Sequence, residues 1–343
     1  MLRIEHTEPI QKSEVNKAGN GKKDMKKVGP LYMPRKDPCT HPKTPSALSK
    51  TKYTLLMLIH GKCKWKQLVY DLTLESMKRL DQVVLLWNND WLPPKELLEV
   101  RIREGGPRVV IIKMAHNSMN NRFMPWSPIR TAAVYILDMD IRLPGEALEF
   151  AFDNWLQHQG SIVGYAYRRF YANGTYPDRA RARIFGPDPG YNFVLTGSAM
   201  MSYELLRQYA CEDKTKLIRE MVDEMFNGDD IAMNMISRYN GHRPIALTRN
   251  SPELEDPRDD QNKTGCLYDL GVNGRAGRRK IFKSKSISTR TGHAMKRQDM
   301  FMKFADHLGL SHDMSIHQDF YQPLPDVDLC TCATIPPAVM RGK

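Results

Sequence analysis

Ala132-Ala133-Val134-Tyr135-Ile136-Leu137-Asp138-Met139-Asp140 is the stretch that decides the fold. An apolar run this short, ended by polar residues, reads as a strand buried on both faces. It stops at two carboxylates one residue apart. Upstream, residues 53–59, 83–87 and 108–113 are runs of the same kind, the first closed by the turn-like His60-Gly61-Lys62. Between the first two, Trp65, Leu68, Val69, Leu72, Leu74 and Met77 recur at helical spacing, and Pro93-Pro94 opens a short helical stretch. Downstream, Pro144 suits the first turn of a helix whose inner face is Leu148, Phe152, Trp155 and Leu156. Strands alternating with helices predict a parallel, doubly wound sheet. Ligands of such sheets bind beyond the carboxyl ends of the strands. Three strand ends therefore matter: His60, Asn88-Asn89 and Asp138-Met139-Asp140.

The second half is less regular. Residues 161–165 and 193–196 read as strands. Asp229-Asp230 heads a helix through Ile231, Met233, Asn234 and Ile236, where the positive end of the helix suits two acids. A last helix is predicted over 294–308, with Met295, Met302, Phe304 and Leu308 inward. Residues 249–280 read as a long polar loop. The expected organisation is a disordered basic tail over 1–52, one α/β domain over 53–310 and an irregular C-terminal tail over 311–343.

The chain has 343 residues, 41% hydrophobic and 26% charged, which suits a globular protein with a sizeable core. Its net charge of +12 favours anionic partners. Much of that charge lies in residues 1–52, which hold twelve Lys and Arg against five Asp and Glu. No run is long enough to span a bilayer, and the first fifty residues lack the apolar core of a secretory signal. The six cysteines form no C-x-x-C pair, so zinc is unsupported, and their number in so long a chain does not suggest a disulfide scaffold. Two N-x-T sequons occur, at Asn173 and Asn262; by themselves such triplets say little.

Two carboxylates one residue apart after a buried strand can chelate a hard divalent cation, which in turn can bridge the phosphates of a nucleotide. Asp138 and Asp140 are the metal candidates on that ground; the plain alternative is two solvated aspartates in a turn. Asp229 and Asp230 form a second acidic pair, readable either as helix capping or as a carboxylate facing a sugar carbon. Arg122, Arg297 and His293 are candidate phosphate contacts. Residues 275–297 hold nine Lys and Arg and no acid, as a solvated loop, a phosphate flap or a nucleic-acid patch. No P-loop, dinucleotide fingerprint, H-E-x-x-H or G-x-S-x-G occurs, which removes the usual support for kinase, dehydrogenase, zincin and hydrolase readings.

Taken in order, 83–89 (VVLLWNN), Asn117 with Asn121-Arg122-Phe123, Asp138-Met139-Asp140, 193–199 (FVLTGSA), 229–234 (DDIAMN) and His293 with Arg297 resemble the exostosin-like transferases, glycosyltransferase family 64. The resemblance covers about 53–309. It implies a GT-A fold (Rossmann-like, a mostly parallel central sheet flanked by helices) and a UDP-sugar donor held with Mn²⁺. It also implies retention of anomeric configuration and a glycan or glycolipid acceptor. An anionic acceptor would suit the basic charge. By the same resemblance Asn89, Asn117 and Arg122 are nucleotide contacts, and Asp138 and Asp140 are the ribose and metal carboxylates. Asp230 is the carboxylate beneath the anomeric carbon, either electrostatic or nucleophilic, and His293 and Arg297 are leaving-group contacts. An N-acetylhexosamine is the expected sugar.

Three departures stand out. The family's middle acid is Met139 here, and the first strand ends in His60-Gly61-Lys62 rather than Thr-Tyr-Asp/Asn-Arg. The two positions that the family joins by a disulfide are Gly228 and Met300, which suits a reducing compartment or a lineage without that staple. Family members usually carry an N-terminal anchor and face the Golgi lumen; the chain shows no such segment, so it is a fragment or works elsewhere. The rival readings are a transferase-like protein that binds glycan or nucleotide without turnover, a nucleic-acid-associated protein and a nucleotidyltransferase.

Overall fold

The computed structural model describes residues 25–27, 31–34, 37–40, 43–61, 77–99, 101–103, 105–139, 141, 143, 145–175, 190–247 and 292–319. The strands are β1 (Met25–Lys27), β2 (Leu31–Tyr32), β3 (Ser49–Ile59), β4 (Leu80–Trp87), β5 (Arg101–Arg103) and β6 (Arg108–Lys113). They continue as β7 (Thr131–Leu137), β8 (Val163–Gly164), β9 (Tyr167–Arg168), β10 (Phe193–Val194), β11 (Ser198–Ser202) and β12 (Ile245–Ala246). Eight of them make one sheet in the order β12-β8-β11-β7-β3-β4-β6-β2. Its centre is parallel: β7, β3, β4 and β6 all run the same way. Only β11 runs against its neighbours β7 and β8.

The apolar runs alternate faces, as a pleated strand must. Leu56, Val84, Leu86, Val110, Ile112, Val134 and Ile136 face one core, and Leu55, Met57, Val83, Leu85, Val109, Ile111 and Tyr135 the other. The helix Gly145–Gln157 covers the second face with Leu148, Ala151, Phe152 and Trp155. Four helices cover the first: Tyr203–Cys211, Lys216–Met225, Asp229–Tyr239 and His293–Leu308. Each fully buried Leu, Ile or Phe adds about 1.5–3 kcal/mol.

The sequence reading anticipates the four central strands and the helices at 145, 229 and 293. It misses β11 and the helices Tyr203–Cys211 and Lys216–Met225. Its inward face for the last helix is wrong at Met295, which is 74% exposed. The buried stripe is Arg297, Met300, Phe301, Phe304, Ala305 and Leu308, at spacings of three and four. Met295 lies two residues before that stripe, on the opposite side. The expected helix after β3 lies outside the described residues except for buried Met77, and Pro144 lies outside them too.

Residues 1–52 are not a free tail throughout. β2 adds to the parallel sheet beside β6, and the Arg108 guanidinium donates to the Tyr32 hydroxyl at 2.9 Å. β1 pairs with β5, and β3 begins at Ser49, four residues before the predicted start. The Lys43 ammonium donates to Ile129 O at 2.6 Å and its backbone N–H donates to the Tyr203 hydroxyl at 3.2 Å. Cys39 and Cys211 form a disulfide across 172 residues, a single long-range bond rather than a scaffold, and one that the cysteine count did not point to. At the other end, residues 311–319 are irregular yet tied down: Arg238 donates to Ser311 O, and Tyr191 pairs with His317. Among the described residues no helix is long and apolar enough to cross a membrane.

A bond closing so long a loop removes much of the entropy of the unfolded chain. Reducing the protein, or replacing Cys39 and Cys211 together by Ser, should lower its stability by about 2–5 kcal/mol. Urea denaturation with and without dithiothreitol measures this; an unchanged midpoint would mean that the bond does not form.

Candidate functional site

β7, β3 and β4 are neighbours and parallel, so their carboxyl ends open side by side. At the end of β3, Gly61 adopts the left-handed conformation (φ +78°) and its N–H donates to Asn89 Oδ1 at 2.6 Å. The Asn89 amide also reaches Ile59 O at 3.4 Å. Asn89 thus ties the end of β4 to the turn after β3. Asn88, beside it, donates to Asn117 Oδ1 at 2.5 Å and accepts from Asn121 Nδ2 at 2.7 Å. Asn117 itself is exposed. His60 N–H points at the Met139 sulfur, 3.4 Å away, so Met139 packs against the altered end of the first strand: two of the departures meet each other. Lys62 lies outside the described residues.

Arg122 stands on a short 3₁₀ helix, Met119–Phe123, capped by Ser118. Its Nη1 donates to Asp138 Oδ1 at 2.5 Å, and its Nε donates to Asp229 Oδ2 at 2.7 Å, with Nη2 on the same oxygen. One planar guanidinium therefore links the end of β7 to the start of the helix Asp229–Tyr239. Asp138 N–H donates to Gly197 O at 2.7 Å. A Cβ at Gly197 would come within 2.4 Å of Asp138 Oδ2, so only glycine lets this carboxylate lie where it does. Asp140 lies outside the described residues.

Asp230 is held by a second arginine. Arg297 Nη1 and Nη2 donate to its two oxygens at 2.8 and 2.7 Å, a bidentate fork. Asn227 Oδ1 accepts from Gly228 N–H at 2.8 Å and from Arg297 at 3.3 Å. With its oxygen so used, the Asn227 amide nitrogen is the atom 3.2 Å from His293 Nδ1. His293 Nδ1 is the acceptor in that contact. Asn234, one turn on, donates to Asp230 O and Val194 O, both at 2.8 Å, and accepts from Val194 N–H at 3.1 Å. Its side chain pairs with β10 as a strand would, fixing the helix start against the sheet.

Three carboxylates and two guanidiniums therefore meet at one place. Asp229 is nearly sealed from solvent, while the Asp138 side chain is 39% exposed at the mouth. The two adjacent acids are pushed apart. Burial raises the Asp229 pKa; Arg122 opposes the rise, and the Asp230 charge adds to it. Burial would raise Asp230 as well, but the Arg297 charge and its two hydrogen bonds overcome it and hold that acid below the ordinary Asp value. Burial would lower the pKa of Arg122, but the charges of Asp229 and Asp138 more than reverse it.

The structure thus brings Asp138, Asp230, Arg122, Arg297 and His293 into one connected cluster, with Asn89 and Asn117 bonded to the neighbouring strand-end network. Sequence reasoning names Asp229 but misses its partner. Asn227 and Gly197 are missed altogether, although Gly197 stands inside a quoted motif and is the signal that would have found the close approach. Of the basic stretch 275–297, only 292–297 is described, and it supplies His293 and Arg297 to this cluster.

A family model for the glycosyl transferase family 64 domain matches residues 53–320. Glucosamine inositolphosphorylceramide transferase 1 of Arabidopsis thaliana is 32% identical over 186 residues, 54% of this chain and 23% of its own length. Exostosin-like 2 of Mus musculus is 26% identical over 212 residues, 58% of this chain and 61% of its own. The chain thus spans about a quarter of the first and less than two thirds of the second. A crystal structure of GalNAc-T7 with UDP, GalNAc and Mn²⁺ aligns over 57% of this chain and 42% of its own, at 10% identity and a TM-score of 0.40, a likeness too loose to carry an argument.

Removing one partner of a buried ion pair strands the other charge. Arg297→Ala should cost about 3–5 kcal/mol by urea denaturation, and Arg297→Lys less, since it keeps the charge but not the fork. The lowered Asp230 pKa fixes the sign with pH. The pair's stabilisation is full above the ordinary Asp value and is lost as pH falls through the lowered one. An acid titration of stability should therefore be shallower for Asp230→Asn than for the unaltered protein; parallel curves would refute the pairing.

Proposed function

Because the chain belongs to glycosyl transferase family 64, we propose that it moves a sugar, an N-acetylhexosamine, from a UDP-sugar to a glycan or glycolipid acceptor. Transfer retains the anomeric configuration and depends on Mn²⁺. The fold, α/β with a mostly parallel central sheet, is of the GT-A type. The observation that carries the reading is the pairing of Asp230 with Arg297 beside the Arg122 link from Asp229 to Asp138, at the strand ends where such sheets take ligands. The relative named for glucosamine and inositolphosphorylceramide supports an amino-sugar donor and a glycolipid acceptor.

A hard divalent cation prefers carboxylate oxygens. Asp138 is such a donor, partly exposed at the mouth of the cluster, so the chemistry fits; Asp138 and Asp140 would hold the cation. Once bound, it would offset charge growing on the leaving diphosphate.

The remaining work falls to the chain. Asn89 and Asn117 would bind the nucleoside from the β4 end. Arg122 would aim Asp138, on which it is already spent, rather than contact the nucleotide directly. Arg297 would hold Asp230 in place by its fork, and His293, tied to the same network through Asn227, would lie on the side of the departing diphosphate. Asp230 stays ionised at neutral pH and would stabilise positive charge at the anomeric carbon. Both its oxygens are engaged by Arg297 and its basicity is lowered, so it is a poor nucleophile. That favours direct attack by the acceptor hydroxyl on the donor face over a glycosyl-enzyme.

Titrating UDP calorimetrically should show binding that needs Mn²⁺ and is lost in Asp138→Asn/Asp140→Asn. Gly197→Ala should fold normally yet weaken that binding, because the new methyl displaces the Asp138 carboxylate. A protein that folds and binds no UDP under any of these conditions would refute the donor site. A sugar trapped on Asp230, seen by mass spectrometry, would refute direct attack.

A further inference from the structure

We propose that Asn173 carries an N-linked oligosaccharide whose first sugar packs on the ring of Tyr171. The attachment is independent of the transferase reading. It starts from Tyr171-Ala172-Asn173-Gly174-Thr175, one of the two N-x-T sequons. In the structure these five residues close a tight turn. Gly174 N–H donates to Tyr171 O at 2.8 Å, and Tyr171 N–H donates to Thr175 O at 3.3 Å. Gly174 has φ +75°, so three loop residues end in a left-handed glycine, the geometry of a hairpin turn with a bulge. The turn is docked on the last helix: Gln298 Nε2 donates to Asn173 O at 3.3 Å, and a Cβ on Gly174 would come within 2.8 Å of the Met302 sulfur. It therefore presents its side chains in a fixed place.

Three features of that place suit a glycan. Asn173 is exposed, so a large substituent meets no core. Its Oδ1 accepts the Thr175 N–H at 3.0 Å, which leaves the amide nitrogen as the reacting atom. Tyr171, two residues earlier on the same turn, is a large aromatic left 48% exposed even though the Arg169 guanidinium sits over its ring at 5.4 Å. An aromatic face is electron-rich, and the C–H face of a sugar ring is its natural complement. The Cys39–Cys211 bond supplies the independent observation. Disulfides form in oxidising compartments, among them the endoplasmic reticulum lumen, where N-x-T asparagines of eukaryotic chains are modified. In the reaction the Asn173 amide nitrogen displaces the diphosphate of a lipid-linked oligosaccharide: the sugar C–O bond breaks, a C–N bond forms, the amide loses one proton and the lipid diphosphate leaves.

The test uses the full-length protein isolated from the cells that make it. Enzymatic release of N-glycans in heavy-oxygen water marks each modified asparagine, and mass spectrometry reads the mark. The expected result is a mark on Asn173 in protein whose Cys39 and Cys211 resist alkylation until reduced. An unmarked Asn173, a mark on Asn262 alone, or two freely alkylated thiols would overturn the proposal. A second measurement tests the packing. Removing the glycan should lower the melting temperature of the unaltered protein by a few degrees, and Tyr171→Ala should abolish that difference; an equal drop in both would overturn the ring contact.

Discussion

The chain of alternating charge Asp138–Arg122–Asp229, lying against the pair Asp230–Arg297, is the constraint on which the rest of the structure turns. Burying charge is costly unless every group finds a partner in good geometry. Five charged groups from the end of β7, a short 3₁₀ helix and the starts of two long helices can satisfy one another only if all four elements arrive in fixed positions. The parallel sheet fixes the first. Ser118 caps the second, and Asn234 locks the third to β10. The apolar stripe from Met300 to Leu308 seats the fourth.

Glycine and methionine fill the space where the family resemblance leads one to expect a disulfide. Gly228 takes φ +76° at the start of the helix Asp229–Tyr239, and a Cβ there would come within 2.5 Å of the Met300 sulfur. Met300 is buried, so its flexible thioether fills the volume of the missing bond. A packing contact does not constrain the unfolded chain as a crosslink does. The covalent constraint sits elsewhere, in Cys39–Cys211, where it pins the N-terminal segment to a helix on the same side of the sheet as the cluster. An expectation of a reducing environment drawn from the missing family pair therefore loses its ground once the second pair is seen.

Much of this was legible in the sequence wherever the signal is local. Runs such as 108–113 have one reading because every residue is apolar or caps an apolar run, and Asp229-Asp230 before an amphipathic stretch announces a helix start. β11 was not legible: Ser198-Ala199-Met200-Met201-Ser202 lacks the β-branched residues that mark strands, and its place is set by antiparallel pairing with β7. Met295 looked like core because apolar residues were counted without Arg297, which holds an inward position only because Asp230 is there to meet it. Long-range pairings such as Arg122 with Asp229, or Cys39 with Cys211, have no local signature at all. Asp138 could be read as a ligand from its place after a strand, but the need for Gly197 beneath it appears only when two distant segments are brought together.

The two adjacent aspartates show how the arrangement divides labour. Both are buried, and both would be neutralised by burial alone. Asp230 has a guanidinium to itself, with one donor for each oxygen, so its charge is stabilised. Asp229 shares Arg122 with Asp138 and places one oxygen against it, so burial and its neighbour's charge win. Where two titratable neighbours are driven apart in this way, the environment has assigned them different tasks. Asp230 is equipped to remain an anion and to act on charge that develops beside it. Asp229 is equipped to hold an arginine whose other end sets the direction of the exposed carboxylate. Exchanging the two partners would leave the composition of the site unchanged and remove that division.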